Sequence, residues 1–495
     1  MTTTDRHDAI GLVDVSAATL ETYAERGYSP EVLPVPPADR TWGVREYISV
    51  WMGPIHNILS YFTVVGFFAL GLGATQVVAA IFTAAVIVSI GYILNGHASS
   101  RYGIPFAMQL RNTFGVRGAL LPTLLRGLIA GFVFFGVTTI SSAQALDVVL
   151  TRIFPTFMEV GGGASILGLA IPTAISYAIM WIVTVALYLG GMTFIDKFSK
   201  WASPAVYVLI VIGVVIAISN AGGLGETFAF DPVDSPVTPL VFISCVSVLV
   251  SNWAGPIINI GDLTRNAKSV KAPIIGFPVG VLVSYALFAL VTVAFMASLA
   301  SLGDVDPNNP TIFVDAINSI DNPVVVILLI LAMNVGAVAF VVFGNMLPSG
   351  LQMTAQLPKY FNVKTGGLLA AVVGTAILPW KFVENTDALF FFYSFIGSMF
   401  GPIAGIMLAS YWFERRRQLN LEEIYVTQGD PGRYPRGINM VALGILIVSF
   451  LITMSGKLFT TVPVLVTINN LAFFSGLIIG FLAYLAIGNR QRTSA

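Results

Sequence analysis

Charge is what this sequence has least of. Asp, Glu, Lys and Arg make up 10% of its 495 residues, and hydrophobic residues make up 56%. Soluble domains carry roughly 25% charged residues, so a fold in water could not hide this much apolar surface, and lipid is the solvent that the composition fits. A formal net charge of zero excludes the basic face that nucleic-acid binding needs. The single cysteine, Cys245, excludes an internal disulfide framework. His7, His56 and His97 have no metal-ligand spacing, and there is no glycine-rich phosphate loop with a lysine, which excludes ATP-driven pumping on this chain. No filter repeat or charged pore stripe suggests a channel. Residues 1–45 are charged throughout and lack an apolar core behind a basic start; they read as a polar cytoplasmic tail, regulatory or disordered, and not as a signal peptide.

Apolar runs are abundant. A helix needs roughly 20 apolar residues to cross the hydrocarbon. By that measure, spans are predicted near 49–72, 76–96, 119–147, 164–190, 202–220, 236–259, 272–302, 322–348, 366–384, 386–411, 438–456 and 463–487. Lys and Arg mark the cytoplasmic side of short loops. They gather in alternate gaps, at Arg101, Arg111 and Arg117, at Lys197 and Lys200, at Arg265, Lys268 and Lys271, and at Arg415, Arg416 and Arg417. The opposite loops hold only Arg152, Lys381 and Lys457, beside clusters such as Asp304, Asp306, Asp315 and Asp321. Both termini are therefore expected in the cytoplasm.

Two spans carry interruptions, Trp51-Met52-Gly53-Pro54-Ile55-His56-Asn57 in the first and Ser251-Asn252-Trp253-Ala254-Gly255-Pro256 in the sixth. Proline removes a backbone donor and clashes with the preceding turn, and glycine tolerates the dihedrals of a break. One such pair reads equally as a packing kink. Two pairs at matching repeat positions read as broken helices around a midplane site. Asn57, Asn252, Asn334 and Asn345 each donate and accept, and Trp253, Phe134 and Phe135 offer faces for a planar ring. His56, the only histidine inside a span, is either a proton carrier or a neutral group satisfied by backbone freed at the break. Arg126 is expected to snorkel or to bind carbonyls.

Ordered stretches carry a resemblance. Gly103-Ile104-Pro105-Phe106 is followed by Arg111, Phe114-Gly115-Val116-Arg117-Gly118 and Arg126. Asn252-Trp253-Ala254 leads to Asn259, Asp262, Thr264 and Arg265; Leu357-Pro358-Lys359-Tyr360 follows Asn345; and Gly401-Pro402-Ile403-Ala404-Gly405 precedes Tyr411 and Glu423-Ile424-Tyr425. Over roughly residues 42–440 the chain resembles the nucleobase–cation symporters, the permeases of purines, pyrimidines, allantoin and hydantoins. The resemblance implies an all-α membrane protein with a LeuT-type core of two inverted five-helix repeats, the first and sixth helices broken. The first repeat is expected at 46–220 and the second at 236–411, then a cytoplasmic loop at 412–437, two peripheral helices at 438–487 and a short tail at 488–495.

It also implies a site. The family's stacking Trp and hydrogen-bonding Gln of the third helix fall on Phe134 and Thr138, its first-helix amide on Asn57, its sixth-helix stacking position on Asn252 or Trp253, and its eighth-helix Asn on Asn345. Sodium-coupled members hold the ion with backbone carbonyls, here near Gly53, His56 and Gly336, and with two hydroxyls, which fall on Ala339 and Phe340. Two lost oxygens weaken a site for a hard cation, so the resemblance points to proton coupling or facilitated diffusion, with His56 as the candidate carrier. The expected partners are a heterocyclic substrate, a coupling cation and membrane lipid, without a cofactor. The rival readings are an amino-acid or organic-cation carrier on the same scaffold, and a non-transporting sensor.

Overall fold

The Gly-Pro pairs at 53–54 and 255–256 should interrupt their helices without ending the spans, and the chain folds that way. The computed structural model describes residues 11–488 except 232–236, 304, 305, 307, 308, 310 and 428, with side chains 128, 130 and 191–205 also left aside. The first span is built from Val44–Ser49, Met52–Ile55 and Ile58–Ala69. The sixth is built from Pro239–Asn252, Ala254–Asn259 and Gly261–Thr264. Their middle pieces carry one pattern in register, Trp51-Met52-Gly53-Pro54-Ile55-His56-Asn57 and Trp253-Ala254-Gly255-Pro256-Ile257-Ile258-Asn259. Trp51 and Trp253 precede them with matching backbones, φ −101° in both and ψ of −4° and 4°.

Seven described helices are long and apolar enough to cross a membrane, from Ala74–Tyr102 to Pro435–Leu458, and an eighth is the pair Pro463–Asn470 and Ala472–Ile487, bent by 95°. Ile58–Ala69, Val206–Asn220, Pro239–Asn252 and Val363–Ala376 are shorter apolar helices at the places expected of spans one, five, six and nine. The expected total of about twelve rests on those shorter helices as well.

Three boundaries differ from expectation for physical reasons. The third span runs on to Ile153 past Asp147, whose carboxylate accepts hydroxyl hydrogen bonds from Thr173 and Ser176, each 2.6 Å, and so tolerates burial. The fourth begins at Ile171, because 165–170 form a hairpin turning through Leu167 and Gly168, both at positive φ. The ninth ends at Ala376, where Leu378 adopts φ 56° before Pro379.

The N-terminal segment does not trail away. Val13 and Val35 donate backbone bonds to Arg101 and Gly103, each 2.9 Å, and a Cβ on Gly103 (φ 71°) would strike Val35. Tyr23 stacks on Tyr425 at 4.6 Å, and Arg26 pairs with Glu422 at 2.8 Å. Arg40, whose guanidinium burial pushes down to about 10, binds the Val35 and Ser100 carbonyls and so stays charged at neutral pH. Residues 11–45 are thus laid across one end of the helix bundle.

The tenth and twelfth spans meet through glycines four apart. Gly397, Gly401 and Gly405 face Phe473 and Leu477 backbone, while Gly476 and Gly480 face Pro402. Small residues at this spacing let membrane helices approach backbone to backbone. A Cβ at Gly401 would fall inside the shell of the Phe473 carbonyl. Gly401→Val is expected to destabilise the protein by at least about 1–3 kcal/mol, read as a lower midpoint in thermal unfolding of detergent-solubilised protein, with Val at exposed Gly444 as the unaffected control.

Candidate functional site

A break leaves backbone groups without helical partners, and the side chains around it show how they are satisfied. Asn57 donates from Nδ2 to the freed Pro54 carbonyl at 2.6 Å and accepts the Ser60 N–H at 2.9 Å, capping the helix Ile58–Ala69. The same Nδ2 reaches Ser60 Oγ at 2.9 Å. Asn252, at the sixth-span break, donates to that hydroxyl at 3.0 Å and accepts from the Tyr393 hydroxyl at 3.2 Å, which Thr63 joins at 2.9 Å. The two breaks are therefore tied directly to each other and to the tenth span. Asn57 and Asn252 are wholly buried in this network. Ser60, Thr63 and Tyr393 were not singled out by sequence reasoning; hydroxyls are common in membrane helices, and nothing local reveals a partner more than 300 positions away.

Beside the network is an aromatic cluster. Trp51 meets Trp253 edge-on at 5.3 Å, and Trp253 meets Phe340 at 5.5 Å. Phe340 in turn meets Phe134 at 6.0 Å, and Phe134 packs on Phe392 at 5.0 Å. The expected stacking residues Phe134 and Trp253 thus stand on either side of Phe340, and all are buried. Of the alternatives Asn252 and Trp253, only Trp253 presents a ring; Asn252 serves the polar network. The Trp253 indole N–H and the Tyr285 hydroxyl are neighbours outside hydrogen-bond geometry.

Three of the side chains singled out in the sequence retain polar capacity. Thr138 Oγ1 is buried and has no partner among the described residues, a state that costs about 1–3 kcal/mol unless something binds it. Asn345 lies in a π-helical turn, Val342–Met346, and among the described residues its side chain reaches only the Phe340 carbonyl, at 3.3 Å. Such turns re-aim side chains and recur at functional sites. Asn334 is buried with neither amide atom partnered among the described residues.

The expected cation-site positions also come together. A Cβ on Gly336 would lie 2.8 Å from both the Gly53 and His56 carbonyl oxygens. The two expected hydroxyl positions carry a methyl on Ala339 and the Phe340 ring, so two of the oxygens that would hold a hard cation are missing and these residues do not fit a sodium ion. His56 is fully buried, its Nδ1 2.7 Å from the Tyr61 hydroxyl and its ring edge-on to Tyr207 at 5.1 Å; Nε2 has no partner among the described residues.

Below the cluster, Arg126 is wholly buried and does not snorkel. Its Nε donates to Asn259 Oδ1 at 3.1 Å and its Nη2 to the Gly344 carbonyl. Asn259 passes the connection to Asp262 at 3.0 Å, which caps the helix starting at Phe106 at 2.9 Å. Carbonyl binding, one of the two roles expected of Arg126, is what the structure gives it. A cavity of about 10 Å³ beside Trp51, Asn259, Asp262 and Gly344 is the size of a single water.

Comparison with known proteins decides the family. A family profile described as a permease for cytosine/purines, uracil, thiamine and allantoin matches residues 34–477. The chain belongs to the nucleobase–cation symporters. It is 34% identical over 96% of both chains to a putative allantoin permease of Escherichia coli, and 33% identical over 92% of both to the allantoin permease of Bacillus subtilis. The solved structure of Mhp1, a nucleobase-cation-symport-1 transporter closed around bromovinylhydantoin, superimposes with a TM-score of 0.75 at 25% identity, covering 92% of this chain and 94% of that one. An inward-facing Mhp1 structure superimposes at 0.73. The LeuT-type fold expected from the resemblance is thus established, and this symporter-family member is a multi-pass membrane transporter for nucleobase-type cargo and not an enzyme.

Proposed function

We propose that this protein moves an allantoin- or hydantoin-like ureide, or a related nucleobase, across the cytoplasmic membrane by alternating access, coupled to protons and not to sodium. The observation that carries the reading is the apposition of the two broken helices, with Trp253 and Phe134 beside groups that retain hydrogen-bonding capacity. The ring stacks on Phe134 and Trp253, Asn345 and Thr138 read its alternating N–H and carbonyl edge, and Asn57 and Asn252 hold the breaks in place. The named allantoin permeases among its relatives support a ureide cargo. About twelve spans are read from the apolar runs, and the Lys and Arg distribution supports both termini inside. Against sodium stand the side chains of Ala339 and Phe340, and His56 beside the Gly53 and His56 carbonyls is the candidate proton carrier.

Counterflow in proteoliposomes against a panel of allantoin, hydantoin, uracil, cytosine, hypoxanthine and free amino acids tests the cargo. Competition by amino acids and not by the rings would replace this reading, and binding without exchange would make the protein a sensor. Asn345→Ala is expected to lower uptake about tenfold, the value of one lost good hydrogen bond to a planar ring; unchanged uptake at equal expression removes Asn345 from the site.

A further inference from the structure

A second place on this chain has the chemistry of the proposed cargo. At the end of the bundle away from the N-terminal segment, a cavity of about 360 Å³ opens between the end of the third span and the helix Ile312–Asn318. That volume falls in the range of small-molecule pockets, roughly 300–1,000 Å³. It shares no residue with the central cluster.

Its walls are fixed before any ligand arrives. Asp147 projects from the third span with both carboxylate oxygens held by Thr173 and Ser176 of the fourth, each at 2.6 Å. Across the opening, Arg152 is clamped to Asn318, Nε to the side-chain oxygen at 2.9 Å and Nη2 to the carbonyl at 2.6 Å. The same bond pair pins the third span to the helix that forms the opposite wall. Between these anchors Gln144 lines the cavity, with its amide oxygen buried just behind the wall and without a partner among the described residues. Asp315 supplies a second carboxylate, and Val148, Met158 and Val314 supply the apolar surface.

The polar groups form a specific set. The charged acceptors are the carboxylates of Asp147 and Asp315, Gln144 adds an amide, and the Arg152 guanidinium is the one charged donor among the lining residues. A ligand that satisfies both needs N–H donors adjacent to a carbonyl, presented on a small body with an apolar face. A ureide or cyclic imide has that edge. A simple anion would meet two carboxylates, and a purely hydrophobic ring would leave the acceptors unpaired at about 1–3 kcal/mol for each buried one.

We propose that this cavity is an accessory binding site for a ureide-type ring, separate from the central site and occupied independently of it. The identity of the ligand rests on the cargo reading above; the existence of the site rests on the cavity and its pinned walls.

Saturation binding of radiolabelled allantoin, and in parallel uracil, to the purified full-length protein tests it. The proteins compared are wild type, Asn345→Ala, the pair Gln144→Leu with Asp315→Ala, and Met158→Trp, which fills the cavity from an exposed position. Wild type is expected to show a second, weaker binding event that survives in Asn345→Ala. The paired and cavity-filling variants are expected to weaken that event at least about tenfold while keeping the tighter one, with unchanged thermal unfolding midpoints. Isotherms of the two cavity variants that superimpose on wild type would overturn the site. Loss of the tight event alone in wild type would sink the central cargo reading and leave this one standing. Displacement of the weaker event by guanidinium and not by uracil would overturn the ligand assignment.

Discussion

Trp253→Ala is expected to reduce uptake of the transported ring at least about tenfold in proteoliposomes, with the loss in apparent affinity. Stacking of a base on an aromatic face contributes about 1–3 kcal/mol by alanine substitution, and about 1.4 kcal/mol is tenfold. Trp253 holds a place that makes the loss local to the site: it precedes the middle piece of the sixth span and touches Trp51 from the first and Phe340 from the eighth. The truncation also leaves a hole, worth about 3–5 kcal/mol for a large buried aromatic, so an unstable protein alone could mimic the result. Trp253→Phe separates the two. It refills most of the volume and keeps a stacking face, and is expected to recover most of the uptake. If Trp253→Phe folds normally and transports no better than Trp253→Ala, the indole acts through something other than its face.

The second large effect is a gain. Restoring the hydroxyls that sodium-coupled relatives are expected to carry, as Ala339→Ser with Phe340→Thr, should give the protein a response to sodium that wild type lacks. The carbonyl side of such a site is already assembled, since Gly53 and His56 oxygens both crowd Gly336. Binding to the folded state alone raises stability as RT ln(1 + [L]/Kd), about 2.7 kcal/mol at a hundredfold excess over Kd. The paired variant is therefore expected to unfold at higher temperature in sodium chloride than in potassium chloride at equal ionic strength, and wild type at the same temperature in both. A cost should accompany the gain. Phe340 braces Trp253 at 5.5 Å and Phe134 at 6.0 Å, so ring affinity should fall in the same variant. On the proposed reading, Phe340 is the one position where the coupling ion and the cargo contacts meet, so a single variant tests both.

The helix breaks were legible because two Gly-Pro pairs fall at matching repeat positions; one pair alone is not enough, since Gly401-Pro402 sits inside the unbroken helix Thr386–Leu408. Their register was legible too, in the repeated Trp-x-Gly-Pro-Ile-x-Asn at 51–57 and 253–259; aligning the two would have assigned Trp253 as the mate of Trp51 and Asn259 as that of Asn57. The glycine spacing of Gly397, Gly401, Gly405, Gly476 and Gly480 was likewise a readable packing signal. Other features were not in the pattern. The bond from Asn252 to Ser60 joins residues far apart in sequence, and a hydroxyl looks the same whether it bonds its own helix, as most here do, or a neighbour. The docking of residues 11–45 depends on Tyr23, Arg26 and Arg40 finding partners near 100 and 422, while composition alone made the segment a polar tail. The end of the ninth span turned on one left-handed residue, Leu378, before a proline.

Uptake of radiolabelled allantoin into proteoliposomes, with the pH gradient and the sodium gradient imposed separately, decides which ion drives transport. Saturable uptake that rises with an inward proton gradient and is indifferent to replacing sodium with potassium at fixed pH is the expected result. Saturable dependence on sodium at fixed pH, with no response to the proton gradient, would contradict it.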